Sequence, residues 1–138
     1  MDRHERIEDQ LAKVPLFSGL SKKELRLISQ LATYLEEPAG TVLTEEGKPG
    51  HEFIIVLTGG ASVTSRGREI SALLAGDHFG DVALLDDGVS RATVVAQTPM
   101  TLAVVNPGEF AGLLDRCPTL ARAVISSLAT RVRAVAAA

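Results

Sequence analysis

The residues best suited to chemistry in this chain lie in one stretch, residues 79–96, which reads FGDVALLDDGVSRATVVA. It opens on a glycine and a carboxylate, Gly80-Asp81, and continues through Val82-Ala83-Leu84-Leu85. An acidic, glycine-containing segment follows, Asp86-Asp87-Gly88-Val89-Ser90, and then Arg91-Ala92 leads into the β-branched run from Thr93. A short helix begun at Asp81 presents unpaired backbone N–H groups at its N-terminus, and a guanidinium brought back by a short loop adds a charged, bidentate donor. Together these make a site for a small anion. Singly, each has a plainer reading. Asp81 is a good N-cap for the N–H groups two and three residues on, and Arg91 is an ordinary solvated loop residue. The conjunction is what points to a ligand.

Such a site needs elements to hold it. Near the N-terminus Ile7, Leu11 and Val14 recur at helical spacing until Pro15 ends the segment. Ser21-Lys22-Lys23-Glu24 is a capping box, with Leu20 and Leu25 as its hydrophobic staple, and predicts a helix over 22–31 that buries Leu25, Ile28 and Leu31. Beyond Thr33 the pattern changes to short apolar runs cut by Pro38-Ala39-Gly40, Glu46-Gly47-Lys48-Pro49-Gly50, Gly59-Gly60, Gly67, Gly76 and Gly80. Turn signals at that frequency predict short antiparallel strands over 33–36, 41–44, 52–58, 61–65, 68–74, 78–79, 92–96 and 100–105. Ser65-Arg66-Gly67-Arg68 is the clearest hairpin turn. Asn106-Pro107-Gly108-Glu109 restarts helix to about residue 115, Cys117-Pro118 interrupts it, and a last helix carries Leu120, Val124, Leu128 and Val132 before an alanine-rich end. The fold class expected is α+β: an antiparallel β-roll, jelly-roll-like or a double-stranded β-helix, flanked by N-terminal and C-terminal helices. A single domain spans 1–138, with helices over 1–32, the roll over 33–106 and C-terminal helices over 107–135.

Composition removes several function classes. With 14 basic and 17 acidic residues and a net charge of −3, no basic field exists to draw a nucleic-acid backbone. No run of 18 apolar residues or signal-type segment is present, and the one cysteine, Cys117, has no internal partner for a disulfide. The expectation is a cytoplasmic protein without a membrane segment. Gly47-Lys48 is followed by Pro49 and not by a hydroxyl residue, so it is no P-loop. His4, His51 and His78 are scattered and form no metal-ligand spacing, Cys117 has no evident His partner, and no serine elbow occurs. The chain is therefore expected to be no enzyme and to carry no cofactor or metal.

Taken with Pro38-Ala39-Gly40-Thr41-Val42-Leu43, Glu46-Gly47-Lys48-Pro49-Gly50 and the run from Ile54 to Gly59, the segment Phe79-Gly80-Asp81-Val82-Ala83-Leu84-Leu85 resembles the cyclic nucleotide-binding domain family. The resemblance covers residues 14–132 and implies a phosphate-binding cassette. In it Gly80 is the turn glycine, Asp81 the acidic residue on the ribose 2′-hydroxyl, Val82 and Ala83 the amide donors, and Arg91 the partner of the cyclic phosphate. Ser90 and Ala92 flank that arginine. The implied ligand is cAMP, with cGMP as the alternative, and the implied action is that of a sensor signalling to a protein effector. A homodimer through the C-terminal helix is a further expectation. Two departures bear on this. The family usually has Glu where Asp81 stands, which shortens the reach by one methylene. In the family's Pro-Arg-Ser-Ala-Thr pattern the arginine stands two residues before the alanine, whereas Arg91 stands immediately before Ala92. Counted without gaps from Leu85, Ser90 falls where the arginine belongs. A one-residue slip along a strand reverses a side chain's facing, so the alternative is a non-binding member of the fold that serves as an interaction or dimerisation module.

Overall fold

Among the described residues, the glycine-punctuated, β-branched half of the chain forms eight strands, and the segments on either side form helices. The computed structural model describes residues 3–49, 52–80 and 88–137. In chain order these are α1 (Arg3–Ala12), a 3₁₀ turn (Pro15–Phe17), α2 (Lys22–Leu31), β1 (Thr33–Glu37), β2 (Val42–Thr44), β3 (Phe53–Thr58), β4 (Gly60–Ser65), β5 (Arg68–Leu74), β6 (His78–Phe79), β7 (Thr93–Ala96), β8 (Met100–Val105), α3 (Pro107–Arg116) and α4 (Pro118–Ala137). Each strand lies within about a residue of its expected place. Two compact units result, residues 32–107 and the helical remainder.

In the β unit all pairings are antiparallel. One sheet has the order β1-β8-β3-β6 and the other β2-β7-β4-β5. β3 lies between β8 and β6, with Ile54 opposite both Val104 and Phe79, and its residues Phe53 to Leu57 are all buried. Ile54, Val56, Leu102, Val104 and Met100 from the first sheet pack with Ala61, Val94 and Ala96 from the second, and Leu43, Val63, Leu73 and Phe79 close the margin. This is the alternation that a half-buried antiparallel strand requires: along β7 Val94 and Ala96 are buried, while Thr93 and Val95, alternating with them, are half-buried on the other face. The β4–β5 turn has Arg66 at φ 53 and Gly67 at φ 78, the left-handed pair of a two-residue hairpin.

In the helical unit the capping box forms as its sequence dictates. The Glu24 backbone N–H donates to Ser21 Oγ (3.1 Å) and the Ser21 N–H donates to Glu24 Oε1 (2.9 Å). Ile7, Leu11, Val14, Phe17, Leu25 and Ile28 are buried from the N-terminal side, and Phe110, Leu113, Cys117, Leu120 and Val124 from the C-terminal side. Arg26 Nε donates to Glu8 Oε1 (3.2 Å) and ties α2 to α1. The stripe on α4 does not stay buried. A spacing of four residues drifts by about 40° per step against a 3.6-residue turn, so Leu120 and Val124 are buried, Leu128 is half-buried and Val132 is exposed. Among the described residues no helix is long and apolar enough to cross a membrane.

Candidate functional site

Gly80 ends β6 with φ +96, a left-handed conformation that disfavours any side chain. A Cβ there would overlap the Glu52 carbonyl oxygen and stand 3.2 Å from the Glu52 carbonyl carbon. The backbone leaving the first sheet thus turns directly against residue 52, which only glycine permits. The next candidates, Asp81, Val82 and Ala83, lie outside the described residues, as do the remaining residues up to 87.

At the other end of the stretch, residues 88–90 run antiparallel to the β2–β3 connection. Val89 bridges Pro49, the Ser90 N–H donates to the Lys48 carbonyl (2.8 Å), and the Gly47 N–H donates to the Ser90 carbonyl (2.8 Å). The two hydroxyls of Thr44 and Ser90 are hydrogen-bonded at 2.8 Å in a partly buried place. Gly80 and Ser90 are therefore both anchored on one connection, Gly80 at residue 52 and Ser90 at residues 47–49. Thr93 Oγ1 accepts the Glu46 N–H (3.0 Å), and Glu46 Oε1 accepts the Arg66 N–H (3.0 Å), so the same connection is pinned to β7 and to the β4–β5 turn.

The adjacent pair Ser90-Arg91 is split by this ladder. Ser90 is half-buried with its hydroxyl on Thr44. Arg91 is exposed, and its carbonyl accepts the Ser65 hydroxyl (3.1 Å). Ala92 is half-buried at the entry to β7. The charged groups around Ser90 on the described connection are Glu45 and Lys48, both exposed, and Glu46, half-buried. What the arrangement offers is a hydrogen-bonded ladder with the Thr44–Ser90 hydroxyl pair partly buried and the Arg91 side chain exposed. The sequence alone assigns Thr44, Glu46 and Ser65 no part in the site. Glu46 stands in the glycine-containing motif that carries the resemblance, but nothing in Thr44 or Ser65 marks a partner 46 or 26 residues away.

Comparison with known proteins bears on this framework. Residues 35–117 match the family model described as "Cyclic nucleotide-binding domain". Over 107 residues the chain is 38% identical to the cAMP-dependent protein kinase regulatory subunit of Yarrowia lipolytica, covering 75% of this chain and 28% of that protein. The chain thus spans under a third of the length of that relative. Among solved structures, the Thermus thermophilus catabolite activator protein is similar with a TM-score of 0.83 and 28% identity, over 88% of this chain and 59% of that one. The regulatory subunit of a cAMP-independent protein kinase A from Trypanosoma cruzi, bound to guanosine, is similar with a TM-score of 0.77 and 27% identity, over 86% of this chain and 43% of that one. With the two-sheet roll, the flanking helices and Gly80 at its turn, this chain belongs to the cyclic nucleotide-binding domain family.

Proposed function

We propose that this domain is a non-catalytic sensor of a cyclic purine nucleotide, cAMP first and cGMP as the alternative, and that it works in the cytoplasm through a protein effector. The observation that carries the reading is the family match over residues 35–117, joined to a left-handed Gly80 pressed on the Glu52 carbonyl. Relatives that are regulatory subunits of a cAMP-dependent kinase support the choice of cAMP. In this reading the amides of Val82 and Ala83 and the Arg91 guanidinium meet the phosphate, and Asp81 meets the ribose. A bound phosphate draws Arg91 from solvent, and residues 88–93 transmit the change to the β2–β3 connection through the Ser90 and Thr93 bonds. Exposed Ile125 and Val132 on α4 support a contact through that helix with a second copy or with the effector.

A second reading rests on Ser90. It stands in the arginine's place by count from Leu85, its hydroxyl is bonded to Thr44, and Arg91 is exposed. That favours a ligand without a phosphate, such as the guanosine of the T. cruzi neighbour, or a module that takes no nucleotide. Burial of an unpaired anion costs several kcal/mol, so the two readings differ measurably.

Titration calorimetry with cAMP, cGMP, adenosine and guanosine on the ligand-stripped protein, on Arg91→Ala and on Ser90→Arg separates them. Micromolar cAMP binding, weakened at least about tenfold (about 1.4 kcal/mol) by Arg91→Ala, is the expected result. Nucleoside binding that ignores Arg91→Ala, or cAMP binding that appears only in Ser90→Arg, refutes the first reading and supports the second. Absence of heat with all four ligands leaves the interaction module.

A further inference from the structure

The β4–β5 hairpin gathers positive charge, of which the candidate nucleotide site uses only Arg91. Arg66 is in its turn, and Arg68 stands opposite Ser65 in the β4–β5 ladder. Arg91 is joined to the same tip because the Ser65 hydroxyl donates to its carbonyl (3.1 Å). All three arginines are exposed, and among the described residues none of the three forms an ion pair; the pair between Arg26 and Glu8 lies in the helical unit. Two described carboxylates, Glu46 and Glu69, stand near the same tip and offset part of this charge. Glu46 Oε1 accepts the Arg66 backbone N–H, which fixes the main chain and places one negative charge at the turn. Glu69, opposite Thr64, is the next negative group on the strand.

Arg66 is unusual in a second way. It is the only non-glycine among the described residues with a positive φ, at 53°, and it occupies a turn position that glycine, asparagine and aspartate fill with less strain. Its side chain is exposed, so packing does not account for an arginine there, and strain held at a solvent-facing charge points to use of that charge.

We propose that Arg66, Arg68 and Arg91 form a docking surface for an acidic peptide segment of a protein partner. The argument is charge complementarity: three arginines against the two described carboxylates Glu46 and Glu69 leave a local positive excess on a chain whose net charge is −3, and that excess attracts a short acidic segment. A nucleic acid fits less well, because the chain's overall charge repels a long polyanion, and no aromatic residue stands in the turn to stack a base. The inference goes beyond the proposed sensor function and needs no ligand in the roll.

The test is fluorescence anisotropy of a labelled oligo-glutamate peptide with the full chain free of nucleotide. Variants are Arg66→Asn, which removes the charge while suiting the turn, Arg66→Lys, Arg68→Gln and Arg91→Gln. The double change Arg122→Gln, Arg133→Gln on the exposed side of α4 serves as the control. Binding at low ionic strength is expected to weaken by about two- to fivefold for each tip charge removed, to survive Arg66→Lys, and to fade as salt approaches about 1 M. Thermal melting confirms that Arg66→Asn remains folded. The proposal is overturned by absence of binding at low salt, by equal weakening in the α4 control, or by tighter binding of an oligonucleotide than of the peptide through the same arginines.

Discussion

Replacing Gly80 with alanine tests the construction of the site more sharply than replacing any charged residue. Two independent terms oppose the new methyl group. The first is backbone: at φ +96 an L-residue is strained by about 1–2 kcal/mol. The second is steric, because the Cβ overlaps the Glu52 carbonyl oxygen and approaches Phe53 Cα at 3.5 Å. These are main-chain atoms at the entry to the most buried strand, so relief requires a backbone shift, worth about 1–3 kcal/mol by comparison with overpacked cores. Gly67 supplies the control. It has φ +78, and a Cβ there meets nothing within 4 Å, so Gly67→Ala carries the backbone term alone. Urea unfolding of the two variants should therefore show Gly80→Ala less stable than Gly67→Ala by about 1–3 kcal/mol. On the proposed function, Gly80→Ala should also lose the ligand binding that Gly67→Ala keeps. Equal stabilities, within about 0.5 kcal/mol, would refute the claim that residue 80 is held against β3 by contact.

The hydroxyl pair of Thr44 and Ser90 predicts a coupling energy of about 0.5–1.5 kcal/mol in a double-mutant cycle with Thr44→Val and Ser90→Ala, measured by denaturant unfolding, and strict additivity would exclude the bond. Cys117, 1% exposed, has its thiol pushed above its ordinary value of 9.0, first by burial and then by the charge and hydrogen bond of Glu24, with Arg116 opposing. Because the folded value is the higher one, the stability from the neutral thiol is complete below 9.0 and is lost as pH rises through the folded value. Unfolding free energies measured from about pH 8 to about pH 10.5 should fall more steeply for the wild type than for Cys117→Ala, by at most about 1.4 kcal/mol per pH unit. Identical slopes would show that the thiol does not titrate differently on unfolding.

Much of this architecture is legible in the sequence because its signals are local. Glycine-bearing turns separate most of the described strands, the capping box announces α2, and Arg66-Gly67 marks a hairpin. The 3₁₀ turn at Pro15–Phe17 escaped, since Pro15 reads as a helix stop and says little about the conformation of Leu16 and Phe17. On α4 an i, i+4 spacing suggested a continuous apolar stripe, yet the drift of the helical period carries Val132 into solvent. The site is less legible for the opposite reason. Thr44 meets Ser90 across 46 residues and Ser65 meets Arg91 across 26, and neither contact leaves any pattern in its own neighbourhood.

Fold and ligand are separable here because they rest on different numbers of residues. The core is shared among Ile54, Val56, Leu102, Val104, Val94, Ala96 and others, so the family persists through many substitutions that keep volume and alternation. In the proposed sensor, recognition of a phosphate depends on which of two neighbours turns inward, and the ladder of residues 88–90 on residues 47–49 holds the backbone that sets their facing. The ladder gives Ser90 the half-buried place and Arg91 the exposed one. On the proposed reading a cyclic phosphate has to recruit Arg91 from the surface, giving up some of its binding energy to that movement, whereas an uncharged nucleoside needs no such recruitment. The same exposed Arg91 belongs to the basic hairpin tip, so a ligand that draws it inward removes one of the three charges offered to an acidic partner. Ligand and partner would thereby oppose each other through a single side chain, with a coupling bounded by the modest worth of one exposed ion pair, about 0.2–1 kcal/mol.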